Sequence, residues 1–535
     1  MANEQSPADI VPTLRDRATP QLQDYIQVAA RERGTKQALV CMGNRLTFAE
    51  IDQRSNALAR SLVSRGVRRG DRVVIFAGNT VETVVSFWAV LKANAVVCIV
   101  NPFTKTEKLK YLLDDCRAAA LISDIHLASI FLPAARNGQH LRSIIVSGVF
   151  DAARLRELPG LVSFDDAVAQ QPRELPPARC NLDTDLACII YTSGSTGDPK
   201  GVMLTHRNML TAATSVSTYL ELQESDVVLG VLPLAFDYGL YQLIMTTKVG
   251  ARLLLERSFT FPEQVLANVV AERVTVFPGV PTIFTILAGL KNLATYDFAS
   301  ILKVTNTAAA LQLTHIDSLR SIFPNAQIYS MYGLTECKRC TYLPPQDLAR
   351  KPLSVGIAIP NTELWLVDDQ DRRLGPNQVG QVGQLVIRGA TVMKGYWEKP
   401  EQTAERLRPG PLPGELVLYT GDYCKMDDDG YLYFVSRMDD IIKSRGEKVS
   451  PAEVERAIYQ IEGVKEVAVI GVPDDVLGEA VKAIVVASDG VKLTAKALQL
   501  KCQERLENFM VPKYFDIVPE LPKGLTGKIQ KTHLS

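Results

Sequence analysis

The residues best equipped for chemistry lie in one run, Ile189-Ile190-Tyr191-Thr192-Ser193-Gly194-Ser195-Thr196-Gly197-Asp198-Pro199-Lys200-Gly201. An apolar stretch, Leu186 to Tyr191, has the length and branching of a buried strand, and it ends in hydroxyls and glycines. Such a loop can hold an anion. Its N–H groups turn inward as a nest, its hydroxyls add donors, and Lys200 offsets the self-repulsion of a polyphosphate. Taken alone, the cluster also fits a solvated Gly/Ser/Thr loop.

Spacing excludes two phosphate loops. A Walker loop needs Lys and Ser or Thr directly after its last glycine, whereas Asp198 and Pro199 intervene here, and no G-x-G-x-x-G is present. From Tyr191 to Gly201 the residues resemble the signature loop of the adenylate-forming superfamily, which includes acyl-CoA synthetases, luciferase and nonribosomal peptide synthetase adenylation domains. The resemblance implies ATP as the nucleotide, bound by Thr192, Ser193, Gly194, Ser195, Thr196, Gly197 and Lys200.

Three further strings extend it. Met331-Tyr332-Gly333-Leu334-Thr335-Glu336 is similar to the superfamily's Tyr-Gly-x-Thr-Glu motif. This implies Tyr332 and Gly333 at the adenine, Thr335 near the α-phosphate, and Glu336 holding Mg²⁺ beside Thr196. A divalent ion neutralises polyphosphate and stabilises leaving pyrophosphate. Tyr419-Thr420-Gly421-Asp422 and Tyr431 to Lys443 resemble the segment in which Asp422 accepts from both ribose hydroxyls, with Phe434 and Arg437 beside the nucleotide. Two carboxylate oxygens suit vicinal hydroxyls. In the same resemblance Asp439 is the hinge of a small domain, and Lys443 to Gly446 is the loop brought to the thiol acceptor. Gly527-Lys528 resembles the loop whose lysine bridges substrate carboxylate and α-phosphate, so Lys528 is expected to drive adenylation electrostatically.

The acid is less legible. Leu232 to Gln242 resembles a segment in which acyl-CoA synthetases generally carry histidine where Phe236 stands. Phe236-Asp237 instead resembles amino-acid adenylation domains, whose aspartate pairs with the substrate α-ammonium. An unpaired Asp237 in this apolar context costs several kcal/mol by order of magnitude, so it pairs with a cationic ligand, with backbone amides or with Arg339. Ala308-Ala309-Ala310 stand where relatives carry Gly-Gly-Ala or Gly-Ser-Ala against the adenine. Asp237, Tyr238, Tyr241, Pro278, Thr305, Thr307, Met331 and Arg339 are expected to line the acid site.

The expected function is ATP-dependent adenylation of an amino acid, followed by transfer to the phosphopantetheine of a separate carrier protein, since the chain ends just after Lys528. The alternative is a coenzyme A ligase for an aliphatic or aryl acid. A scaffold that retains these motifs without use is the third class.

The elements that position these groups alternate. Helical Ala49 to Ser64 and Thr80 to Leu91 separate strand-like Val73 to Ala77 and Val96 to Val100, which is α/β punctuation. Residues 140 to 182, rich in Pro, Arg and Gly, read as a surface connection. Strand candidates follow at Val227 to Leu232, Ala251 to Leu255, Val274 to Phe277, Leu302 to Thr305 and Ile328 to Met331, predicting a mostly parallel, helix-covered sheet with ligands at its carboxyl edge. A β-rich subdomain is expected from Ser354, and Ser450-Pro451-Ala452-Glu453 opens a helix in a small α+β domain. The fold class is α/β, with a large adenylation domain over 1–438 and a small mobile domain over 439–535.

Composition bounds the rest. Lys plus Arg and Asp plus Glu are both 59, so no net field favours nucleic acid or anionic membrane. Hydrophobic residues make up 47% and charged residues 22%, proportions of a chain that folds alone. Nine cysteines without framework spacing read as free thiols in a reducing cytoplasm; Cys337 and Cys340 lack the second pair a zinc site needs. The polar N-terminus is no signal peptide, and Lys92 and Asn94 interrupt the longest apolar stretch, so neither secretion nor a membrane span is expected.

Overall fold

Short runs such as Arg72–Phe76, Val96–Val100 and Ser143–Ser147 are buried along nearly their whole length. That pattern suits parallel strands covered by helices on both faces. A computed structural model gives the fold for residues 20–136, 138–149, 160–192, 199–307, 311, 313–440, 442–444, 447–474, 478–506, 508, 510–523 and 529–534, with backbone alone at 376, 439, 443, 447, 448, 478 and 532. The chain divides into two compact units.

The first unit takes in Met1–Pro352, Ala358–Thr362 and Arg388–Leu407. One of its sheets runs Gly395–Tyr396, Lys200–Thr205, Leu186–Thr192, Val96–Val100, Arg72–Phe76, Ala118–Asp124, Ser143–Ser147, Leu161–Ser163. It is parallel from Leu186–Thr192 onward, and antiparallel at the end that carries the phosphate-loop stems. The other sheet places Gln327–Tyr332, Lys303–Asn306, Val276–Gly279, Val227–Gly230, Arg252–Leu255 and Gln37–Cys41 side by side and parallel. The predicted strands thus exist, with ends moved by at most two residues. Residues 140–182 correct the expected surface connection: Ser143–Ser147 is a fully buried strand and Phe164–Ala169 a helix. Their apolar cores are too short to stand out from the surrounding Pro and Arg.

Helix ends follow their caps. Thr47 and Thr205 each form a capping box, with Glu50 and Asn208 respectively, and Thr80 caps Val81–Lys92. Lys92, which breaks the longest apolar run, is 2% exposed, yet its ammonium meets Asp52 Oδ1 at 2.6 Å, Ser55 Oγ at 2.7 Å and Asn56 Oδ1 at 2.8 Å. All three partners lie on Phe48–Ser64, so the ion pair fixes one helix against the other. Burial pushes this lysine down to about 8 despite Asp52. Among the described residues, no helix is long and apolar enough to cross a membrane.

The second unit comprises Leu353–Ile357, Glu363–Ile387 and Arg408–Ser535. Its first sheet orders Thr362–Val367, Gly383–Gly389, Leu416–Met426 and Leu407–Pro409, with Leu432–Arg437 beside Leu416–Met426, which is the expected β-rich subdomain. Its second places Val464–Asp474 and Gly478–Ala487 antiparallel and adds Tyr514–Val518 in parallel. Pro451–Tyr459 and Ala495–Gln503 pack on this sheet around Val454, Ile458, Val467, Val485 and Leu498. Ser450 caps the first helix by accepting from the Glu453 amide.

His206, at the first position of its helix, is fully buried, and its Nδ1 accepts from the Leu22 amide at 3.2 Å. Burial pushes the imidazole from 6.5 down to about 4. Between these values the unfolded chain binds a proton that the folded chain excludes, so stability is lost as pH falls through this window. The contribution is about 3 kcal/mol by linkage. His206→Asn, which keeps an acceptor but cannot titrate, should flatten the fall of Tm from pH 6.5 to 4; an unchanged slope by calorimetry refutes the assignment.

Candidate active site

The loop expected to hold phosphate has paired stems. Leu186–Thr192 and Lys200–Thr205 pair antiparallel, with Tyr191 opposite Gly201 and Thr192 opposite Lys200. Ser193, Gly194, Ser195, Thr196 and Gly197 lie outside the described residues. Both stems are tied to Asp115, the last residue of helix Thr106–Asp115. Tyr191 donates to Asp115 Oδ2 at 2.5 Å, while the Tyr111 hydroxyl sits 3.3 Å from both Asp115 Oδ1 and the Pro199 carbonyl. Trp397 closes the group, its indole N–H donating to the Asp115 carbonyl at 3.0 Å and its amide to the Gly201 carbonyl at 2.8 Å. Burial raises the Tyr191 phenol well above its ordinary value, so it remains a donor.

Tyr332, Gly333, Thr335 and Glu336 follow the carboxyl end of Gln327–Tyr332, as expected. Gly333 is required: a Cβ would lie 2.4 Å from the Lys338 carbonyl oxygen. Glu336 is oriented by Tyr396, whose hydroxyl donates to Oε1 at 2.7 Å, and its carbonyl accepts from the Met393 amide at 2.7 Å. The Lys200 ammonium lies 5.6 Å from the centre of the Tyr396 ring. One tyrosine on the short strand Gly395–Tyr396, paired to Lys200–Thr205, therefore links the carboxylate to the phosphate-loop lysine. Sequence reasoning missed Tyr396, Trp397 and Asp115, because their roles come from a strand of two residues and a helix end far away in sequence. Glu336 fits Mg²⁺: that ion takes one or two carboxylates plus substrate phosphates rather than a cage of protein ligands. No cluster of three potential metal ligands occurs among the described residues.

The expected acid-site residues converge on the second sheet's carboxyl edge. Pro278, Thr305, Thr307, Met331, Tyr238, Tyr241 and Arg339 are all buried. Tyr238 is held by Thr305, hydroxyl to hydroxyl at 2.6 Å, and Tyr219 reaches Met331 Sδ at 2.8 Å. Asp237, in the first turn of Asp237–Val249, is paired within the chain: it accepts from the Tyr238 amide, one of the alternatives above, and its cation is Lys338 rather than Arg339, with Nζ 3.2 Å from Oδ2 and 3.9 Å from the centre of the Tyr241 ring. Burial alone would raise the Asp237 carboxyl, but Lys338 and Arg339 hold it below its ordinary value. Burial pushes Lys338 down to about 7 against the pull of Asp237. Arg339 stacks 4.7 Å over Tyr238. Lys338 itself adopts φ +66°, the left-handed region, in the tight return beneath Gly333. Cys337 and Cys340 are buried with sulfurs 3.1 Å apart. Ala308, Ala309 and Ala310 lie outside the described residues.

In the second unit Asp422 and Arg437 face each other across adjacent strands, Nε 3.6 Å from Oδ1. Asp422 is 4% exposed and Arg437 lies at the surface, with Phe434 half-buried on the same strand. Asp439 falls in the turn Met438–Asp440 and Lys443 in strand Ile442–Ser444. Gly446 and Lys528 lie outside the described residues.

Comparison with known proteins meets this geometry. The pattern of the AMP-binding enzyme family matches residues 26–397, and that of the AMP-binding enzyme C-terminal domain matches 453–528. The chain is 31% identical to a long-chain-fatty-acid–CoA ligase of Bacillus subtilis, covering 96% of this chain and 94% of that one. It is 34% identical to a feruloyl-CoA synthase of Amycolatopsis sp, covering 91% and 93%. The crystal structure of the anthranilate CoA ligase AuaEII with anthranoyl-AMP superposes with a TM-score of 0.87 at 28% identity, covering 99% of this chain and 98% of that one. The chain belongs to the AMP-binding enzyme family, within the adenylate-forming superfamily, and is an AMP-forming ligase that adenylates a carboxylic acid with ATP and Mg²⁺.

Proposed function

We propose that the chain passes its activated acyl group to the thiol of coenzyme A. The observation that carries this reading over amino-acid activation is the Lys338–Asp237 pair: the carboxylate that a substrate ammonium would need already holds a cation of the chain. The names of the curated relatives, acid–coenzyme A ligases matched nearly end to end, support the same choice.

In this reading Thr192, Ser193, Gly194, Ser195, Thr196, Gly197 and Lys200 hold the outer phosphates. Glu336 and Thr196 would hold Mg²⁺, which neutralises the triphosphate when bound. Tyr332, Gly333 and the Ala308 to Ala310 backbone flank the adenine, while Asp422 takes the ribose hydroxyls beside Arg437 and Phe434. The substrate carboxylate attacks the α-phosphorus in line, pyrophosphate leaves, and Lys528 and Thr335 stabilise charge on the equatorial oxygens. Rotation of 439–535 about Asp439 then brings Lys443 to Gly446 to the adenylate. The thiolate adds to the acyl carbonyl, and AMP leaves as the thioester forms. No nucleophile on the protein is needed.

Pyrophosphate exchange with a panel of acids, followed by chromatography of the nucleotide product, should show acid-dependent exchange and AMP. Coenzyme A should accept the acyl group without a carrier protein; ADP as product, or thioester on a carrier alone, overturns the reading. Lys528→Ala should lower exchange about 100- to 1,000-fold. Thioester formation from supplied acyl-adenylate should persist, and its parallel loss would remove Lys528 from the first half-reaction. Tyr396→Phe, which frees Glu336 Oε1 from its donor, should raise the Mg²⁺ concentration for half-maximal exchange about tenfold. An unchanged Mg²⁺ titration counts against that orienting role.

A further inference from the structure

Beneath the carboxyl edge of the second sheet, two basic side chains lie buried beside one carboxylate. Arg339 is 3% exposed and Lys338 2% exposed. The carboxylate beside them is Asp237, whose side chain keeps 21% exposure and is engaged by Lys338. The aromatic rings around the cations, Tyr238 under Arg339 and Tyr241 under Lys338, supply faces but no anion.

Two polar groups here have no partner among the described residues. Arg339 donates through Nη1 to the Lys338 carbonyl at 3.4 Å, but its buried Nε–H meets nothing. The Thr307 hydroxyl, buried just beyond strand Lys303–Asn306, is likewise unpartnered. The two are connected through Tyr238, which stacks on Arg339 and bonds Thr305, two residues before Thr307. Buried donors are normally satisfied, so donors left open at the ligand-collecting end of a parallel sheet mark the place of an acceptor. A long hydrocarbon chain has none to offer.

We propose that the acid activated by this chain is small and carries a second carboxylate, which accepts from Arg339 Nε and Thr307 Oγ1, with the Lys338–Asp237 pair bordering it. This rests on the acid-adenylating reading above and narrows its substrate. Arg339 and Thr307 then determine specificity, and the substrate's own charge completes the pocket.

The test measures pyrophosphate exchange by the full chain with straight-chain dicarboxylic acids of four to eight carbons, chain-matched monocarboxylic acids, long-chain fatty acids and amino acids. The best dicarboxylate should exceed its matched monocarboxylate in kcat/KM by at least about 100-fold. Arg339→Met should cut that ratio about tenfold or more, chiefly through KM for the acid. Because a buried arginine is sensitive to replacement, Thr307→Val is the second probe. Removing an unpartnered hydroxyl should leave Tm unchanged or raised while the ratio drops severalfold. A lower Tm with an unchanged ratio would make the hydroxyl structural and overturn the proposal. So would preferred exchange with a fatty or amino acid, an outcome that leaves the ligase reading standing. Absence of exchange with every acid removes both.

Discussion

A glycine-rich loop can aim its amides at phosphates only if both of its ends are fixed. In this protein that constraint is met by a single carboxylate, Asp115, at the end of a helix. Tyr191 reaches it from the strand that enters the loop, and Tyr111 joins it to the carbonyl of Pro199 where the loop leaves. Trp397 fastens the same point to Gly201. Each fixed backbone residue costs roughly 1–2 kcal/mol of conformational entropy. Stems held by hydrogen bonds before the nucleotide arrives leave less of that cost to be met on binding. Gly201 shows how tightly they close, since a Cβ there would meet Ile189 at 2.7 Å and the Trp397 Cβ at 3.3 Å.

The second organising element is buried charge. The first unit hides Lys92 among three partners on one neighbouring helix, which makes it a staple. Lys338 is buried as deeply, but it has one carboxylate and an aromatic face, and a second cation beside it. The contrast separates a lysine whose partners all lie on one helix from one that sits beside an arginine whose Nε–H has no partner among the described residues. A satisfied polar network rigidifies, whereas an incomplete one is characteristic of a site prepared for something else.

The sequence made the chemistry more legible than the architecture. The strings at Tyr332 to Glu336 and Tyr419 to Asp422 are contiguous, so their residues arrive together wherever the strand places them. Strands with long apolar runs, such as Val96–Val100, were equally readable. Ser143–Ser147 was not, because five residues between basic and proline-rich flanks carry little periodic signal. The links from Tyr396 to Glu336 and from Trp397 to Asp115 were hidden for another reason. They join residues 60 and 282 positions apart through a strand of two residues, and no local pattern encodes such a meeting. That Asp237 needs a partner, a cation or backbone amides, was legible. Which cation supplies it depended on the left-handed turn at Lys338, a backbone choice that side-chain identity does not announce.

The staple at Lys92 also restricts how this region can change over time. Exchanging a buried ion pair for hydrocarbon as a set is often neutral or favourable, whereas deleting one member strands the other and costs about 3–5 kcal/mol. A lineage altering one codon at a time would have to cross that trough before reaching the greasy alternative. Residues 52 and 92 are thus expected to drift jointly or stay put, an inheritance rule set by electrostatics rather than by catalysis.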